Sequence, residues 1–154
     1  SRGGVGSSIC SSSARAWGLQ RCGQGVAAVA HLGTHPQALG DALSYGLDLM
    51  GDAPDCERRV IDVAGDGQNN EGISVARTYE REDFTGITVN GLAVGEHEAD
   101  IVDYYANEVI RGPGAFVELA PRQTDYPDVI LRKLLRELEG PMIGLLPPRG
   151  PARG

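Results

Sequence analysis

The residues of this chain that could do chemistry concentrate in Gly65-Asp66-Gly67-Gln68-Asn69-Asn70-Glu71-Gly72, directly after the apolar run Val60-Ile61-Asp62-Val63-Ala64. A short, nearly continuous apolar run suits a strand covered on both faces, as in parallel sheets. In open parallel sheets the ligand site lies beyond the carboxyl ends of the strands. Asp66 then stands at a strand tip, with Asn69, Asn70 and Glu71 supplying further oxygens. Oxygen-only donors suit hard cations such as magnesium or calcium. Asp, Asn and Gly are equally the residues that solvated turns prefer, so spacing alone admits both readings. Asp62 poses a separate problem inside its apolar run. Left without partners, a buried polar group costs on the order of 2–7 kcal/mol, so backbone donors or an arginine are the expected partners.

Three known loops share the string Gly65-Asp66-Gly67. Haloacid-dehalogenase-like phosphohydrolases carry a similar loop, but Asn70 stands where they have an aspartate, and no carboxylate precedes Asp41 to act as their nucleophile. Thiamine-diphosphate enzymes place an asparagine downstream; Asn90 is the candidate, at a short spacing in a small chain. An EF-hand fails because its glycine and terminal glutamate are missing at the required offsets. His31, His35 and His97 form no metal spacing and read as surface histidines. Cys10, Cys22 and Cys56 are an odd set without metal-type spacing. Glu96 and Glu98 flank His97 but read as a loop before a helix, where negative charge is favoured. No acid, base and nucleophile set emerges, so a non-enzymatic role is expected.

The elements that must position Asp66 are legible around it. A helix is expected over 37–50, where Leu39, Ala42, Leu43, Gly46, Leu47 and Met50 recur at helical spacing. A second runs from about Ser74 to Asp83, a strand covers Ile87 to Ala93, and Ile101, Val102, Tyr105 and Val109 mark a third helix. Ala115 to Leu119 reads as a strand. In the last helix Ile130, Leu131, Leu134, Leu135 and Leu138 form one face, with Asp125 or Thr124 as cap and Gly140-Pro141 as stop. Alternation of helix and strand argues an α/β fold with a mainly parallel sheet. The 154 residues suffice for one domain, and no apolar run approaches the roughly 20 residues of a membrane span.

The net charge of −7 is uneven: residues 1–40 carry +3, residues 41–120 carry −12 and residues 121–154 carry +2. An acidic middle argues against nucleic acid as a partner, because such binding needs a basic surface. Residues 1–25 hold six Gly and six Ser, so residues 1–36 are expected to be irregular. The tail 141–154, with four prolines, is expected to be disordered.

The stretch Arg58 to Gly72 closely resembles the central signature of a bacterial family of unknown function with a von Willebrand factor A-like domain. Further blocks resemble it in the same order: Leu39 to Leu43, Gly86 to Leu92, Tyr104-Tyr105 with Val109 to Val117, and Arg132 to Glu137. The resemblance spans about 38–139 and implies a doubly wound α/β domain over 37–140 with a metal-ion-dependent adhesion site. Such a site holds one divalent ion between an Asp-x-Ser-x-Ser loop, a threonine and an aspartate, and leaves one position for a partner's carboxylate. The resemblance therefore implies Asp66 as that aspartate, Thr34 as the threonine if the His35-Pro36 loop bulges out, and Asn69 beside them, with Mg2+ or Ca2+ as the ion. It implies a protein partner with an acidic side chain. Relatives of this kind commonly carry an export signal, implying a periplasmic or secreted protein, although no signal peptide is visible here.

This chain departs from the family at its front. Nothing before Asp41 can supply the aspartate of Asp-x-Ser-x-Ser, so the metal site is expected to be incomplete and the first strand of the sheet missing. Residues 1–36 then read as an out-of-frame or incomplete front half, and a truncated, non-functional fragment is the plainest alternative. Without that strand, 60–64 would expose an edge open to self-association, with Val26 to His31 as the only replacement.

Overall fold

The computed structural model describes residues 14–17, 26–32, 38–51 and 58–139. The elements are β1 (Ala14–Trp17), β2 (Val26–Leu32), α1 (Leu39–Gly51), β3 (Arg59–Gly65), α2 (Val75–Arg81), β4 (Ile87–Val94), α3 (Ile101–Tyr104), β5 (Val117–Ala120) and α4 (Tyr126–Glu139). One π-helical turn, Tyr105–Val109, continues α3, and a 3-10 turn, Gln123–Asp125, leads into α4. The sheet runs in the order β1-β2-β3-β4-β5. β1 lies antiparallel to β2, and every other neighbouring pair is parallel.

Two expectations are corrected at the front of the chain. β1 and β2 fall inside the stretch 1–36 expected to be irregular. β2 pairs in parallel with β3, Val29 opposite Asp62 and His31 opposite Ala64, so β3 is an interior strand and has no free edge. The alanine-rich run fills the place beside β3 where a strand was expected to be missing. The edges of the described sheet are β1 and β5.

Strict alternation within the two apolar strands divides the core into two layers. Ile61 and Val63 from β3, with Val89 and Ala93 from β4, pack against Leu39, Leu43 and Met50 of α1, Val75 of α2 and the Ile101 and Tyr105 side chains. The intervening residues Ala64, Leu92 and Val94 face Val129, Tyr126 and Ile130 of α4. Asp62 and Asn90 occupy the same register, opposite each other on β3 and β4, and so present their polar groups to α4.

That pairing sets the orientation of α4. The Lys133 ammonium donates to Asp62 Oδ1 and, at 2.5 Å, to Glu137 Oε1, while Asn90 Nδ2 donates to the same Glu137 oxygen at 2.7 Å. Asp62 thus finds a lysine rather than backbone donors or an arginine. Lys133 is 0% exposed and Glu137 3%, whereas Leu131, Leu135 and Leu138 are 58%, 50% and 40% exposed. The expected leucine face therefore turns largely to solvent, and Val129, Lys133 and Glu137, spaced by four, turn inward. Asp125 is held by Arg122 at 3.1 Å. Leu135→Gln is accordingly expected to change stability by less than about 0.5 kcal/mol, as at other exposed sites. A urea denaturation curve checks this, and a large loss would mean that the face is covered.

Candidate functional site

The polar loop leaves β3 at its carboxyl end, so Asp66 stands at the tip of an interior parallel strand, half-buried beside the buried Gly67. The loop is fixed at both sides. Asn69 Oδ1 accepts from Gly40 N at 3.2 Å, at the start of α1, and Asn69 N donates to the Tyr104 hydroxyl at 3.3 Å, at the end of α3. Gly72, at φ +67°, closes the loop against α1: a Cβ there would lie 1.8 Å from Asp41 Oδ2. Gln68, Asn70 and Glu71 face solvent. The Ser74 hydroxyl then accepts from Arg77 N at 3.3 Å and caps α2.

Behind Asp66 the chain buries polar groups that spacing did not single out. Tyr105, on the π-turn, is fully buried, and neither its hydroxyl nor Glu98 Oε2 has a hydrogen-bond partner. Burial pushes the Tyr105 hydroxyl far above its usual range, and the Tyr104, Asp66 and Glu98 side chains add to the rise. Tyr104 is raised as well, first by burial, with Glu108 and Glu98 adding and the Asn69 N–H opposing. Asp66, Glu98, Tyr104 and Tyr105 therefore share one electrostatic neighbourhood at the carboxyl end of the sheet. The vicinal tyrosines were the available signal in the sequence, but two aromatics beside a helical pattern also read as core.

Of the residues assigned to a cation, Asp66 directly follows β3, and Asn69 belongs to the same loop but spends its oxygen on Gly40. Thr34 lies outside the described residues, as do His35 and the three cysteines. Among the described residues no group of three or more His, Cys, Asp or Glu side chains converges on one point. The described donors thus do not make a full cation site. His97 is exposed.

A mainly parallel sheet with helices on both faces, and a pinned polar loop at the tip of an interior strand, define a Rossmann-like α/β domain with its candidate site at the carboxyl ends of the strands. The family model described as "Protein of unknown function (DUF1194)" matches residues 14–142, and the chain belongs to that family. The matched span contains every element described above. No curated protein and no solved structure matches the chain. No helix among the described residues is long and apolar enough to cross a membrane.

Proposed function

We propose that the chain is a non-enzymatic interaction module of von Willebrand A-like type that engages an acidic side chain of a protein partner at the carboxyl end of its sheet. The observation that carries this reading is the placement of Asp66 at the tip of interior strand β3, on a loop pinned to both α1 and α3 through Asn69. Pinning of this kind holds a recognition surface in one geometry, which lowers the ordering cost of binding. Repulsion between Asp66 and a partner carboxylate requires a bridging charge, and Mg2+ or Ca2+ is the proposed bridge. Asp66 anchors it, and Thr34 is its proposed second ligand.

Thermal unfolding in EDTA and then in rising magnesium or calcium tests the reading. Binding to the native state raises stability by RT ln(1 + [L]/Kd), about 2.7 kcal/mol at a hundredfold excess over Kd. The expected result is a transition that climbs with metal and is indifferent to metal in Asp66→Ala. A wild-type transition indifferent to both ions removes the cation from the proposal.

A further inference from the structure

At the amino ends of β3 and β4, where the Asp66 loop does not reach, a recess of about 540 Å3 is walled by Arg58, Arg59, Arg136, Thr88, Asn90 and Phe116. Its volume falls within the roughly 300–1,000 Å3 of small-molecule sites. Arg58 and Arg59 are each held by a bond to a backbone carbonyl. Arg58 donates from Nη1 to the Glu137 carbonyl at 2.8 Å, and Arg59 from Nη2 to the Met50 carbonyl at 2.6 Å. Each thereby satisfies a carbonyl near the C-terminus of a helix, spending one of five N–H donors and meeting no full negative charge.

Among the described residues, neither Arg58 nor Arg59 has a carboxylate partner. The carboxyl on the same wall, Glu137, gives one oxygen to Lys133 and Asn90 and keeps its other oxygen buried without a partner. Arg136 bonds Glu118 at 3.2 Å and lays its guanidinium 3.8 Å from the centre of the Phe116 ring. Arg59 is anchored in the α1 layer and Arg58 in the α4 layer, so the recess combines one guanidinium that has no carboxylate partner among the described residues, that of Arg58, with the stacked Arg136 and Phe116 on its wall. Guanidinium forks match the oxygens of phosphate and carboxylate two at a time. We propose that this recess binds a small molecule carrying a phosphate or carboxylate group, gripped by Arg58, with a planar body laid on the Arg136 guanidinium that stacks over Phe116.

The site is independent of the reading given for Asp66. Titration calorimetry of the full chain at low ionic strength, with inorganic phosphate, phenyl phosphate and benzoate as probes, tests it. Saturable binding is expected, tighter for phenyl phosphate than for inorganic phosphate, and benzoate against phenyl phosphate shows which oxyanion is preferred. Arg58→Gln is expected to weaken binding at least tenfold. Because that change also removes a helix-end contact, Arg136→Gln, at an exposed position, serves as the second variant and is expected to weaken phenyl phosphate more than inorganic phosphate. Asp66→Ala is expected to leave all three affinities unchanged. Absence of saturable binding by every probe, affinities unaltered in Arg136→Gln, or affinities lost in Asp66→Ala would each overturn the assignment.

Discussion

Lys133→Met is expected to destabilise the domain by about 3–5 kcal/mol, the cost of leaving a buried charge without its partner. Methionine matches the apolar stem of lysine and lacks only its ammonium, so the loss reports chiefly the charge. Lys133 joins two carboxyl groups, those of Asp62 and Glu137, all three virtually inaccessible to water. The second oxygens of both carboxyls have no hydrogen-bond partner, so nothing in the layer replaces the lost cation. Burial pushes Asp62 up from an ordinary 3.8 to about 8, against the pull of Lys133, and Glu137 adds to the rise. Tyr126 faces the same carboxyl from the start of α4.

The native state therefore holds the Asp62 proton more tightly than the unfolded chain does. Its stabilising contribution is complete below about pH 4, declines as pH rises, and is gone by about pH 8. Asp62→Asn, which keeps the shape and cannot ionise, is expected to flatten that slope while leaving α4 in place. Urea midpoints measured from pH 4 to pH 9 give both results. A Lys133→Met midpoint equal to wild type would mean that the triad is solvated in solution, and an unchanged slope in Asp62→Asn would assign the slope to another group.

The second large effect is expected at Gly40, at the start of α1. A Cβ there would stand 2.2 Å from the Ile73 carbonyl oxygen and 2.8 Å from Thr78 Oγ1. The Thr78 hydroxyl in turn donates to the Gly40 carbonyl at 3.1 Å, so the two backbones are joined as well as close. Alanine ordinarily favours a helix over glycine by roughly 0.5–1 kcal/mol. Here the neighbour is backbone, which cannot swing aside, and overpacking of this kind costs about 1–3 kcal/mol or more. Gly40→Ala is therefore expected to lower stability by about 2 kcal/mol and to release the Asn69 contact. Gly51→Ala, at the other end of α1 with open space around it, is the matched control and is expected to be neutral or slightly stabilising. Equal melting temperatures for the two variants would show that α1 and α2 separate easily.

The strands and helices from Leu39 onward were legible because their periods were clean, as in the alternation that sends Ile61 and Val63 to one layer and Ala64 to the other. β2 was harder to read, since alanine carries little strand preference and its pairing partner lies far along the chain. The buried face of α4 does not follow its leucines, and the reason is physical. Leucine spacing measures apolarity on one helix, whereas its orientation is chosen by Asp62 and Asn90 on strands more than forty positions away. Asp66 was legible from its place after an apolar run. The Tyr105 and Glu98 groups behind it were not, because their convergence depends on the π-turn that follows α3.

The 13 residues of α1 form a strut about 20 Å long with both ends tied. At one end Gly40 locks onto Asn69 and the α2 region; at the other the Met50 carbonyl is tied to Arg59. The close approach of Gly72 to Asp41 leaves no room for a side chain between loop and helix. One helix thus spaces the two ends of β3, with the loop at the carboxyl tip tied to its start and the arginine at the amino end tied to its last turn.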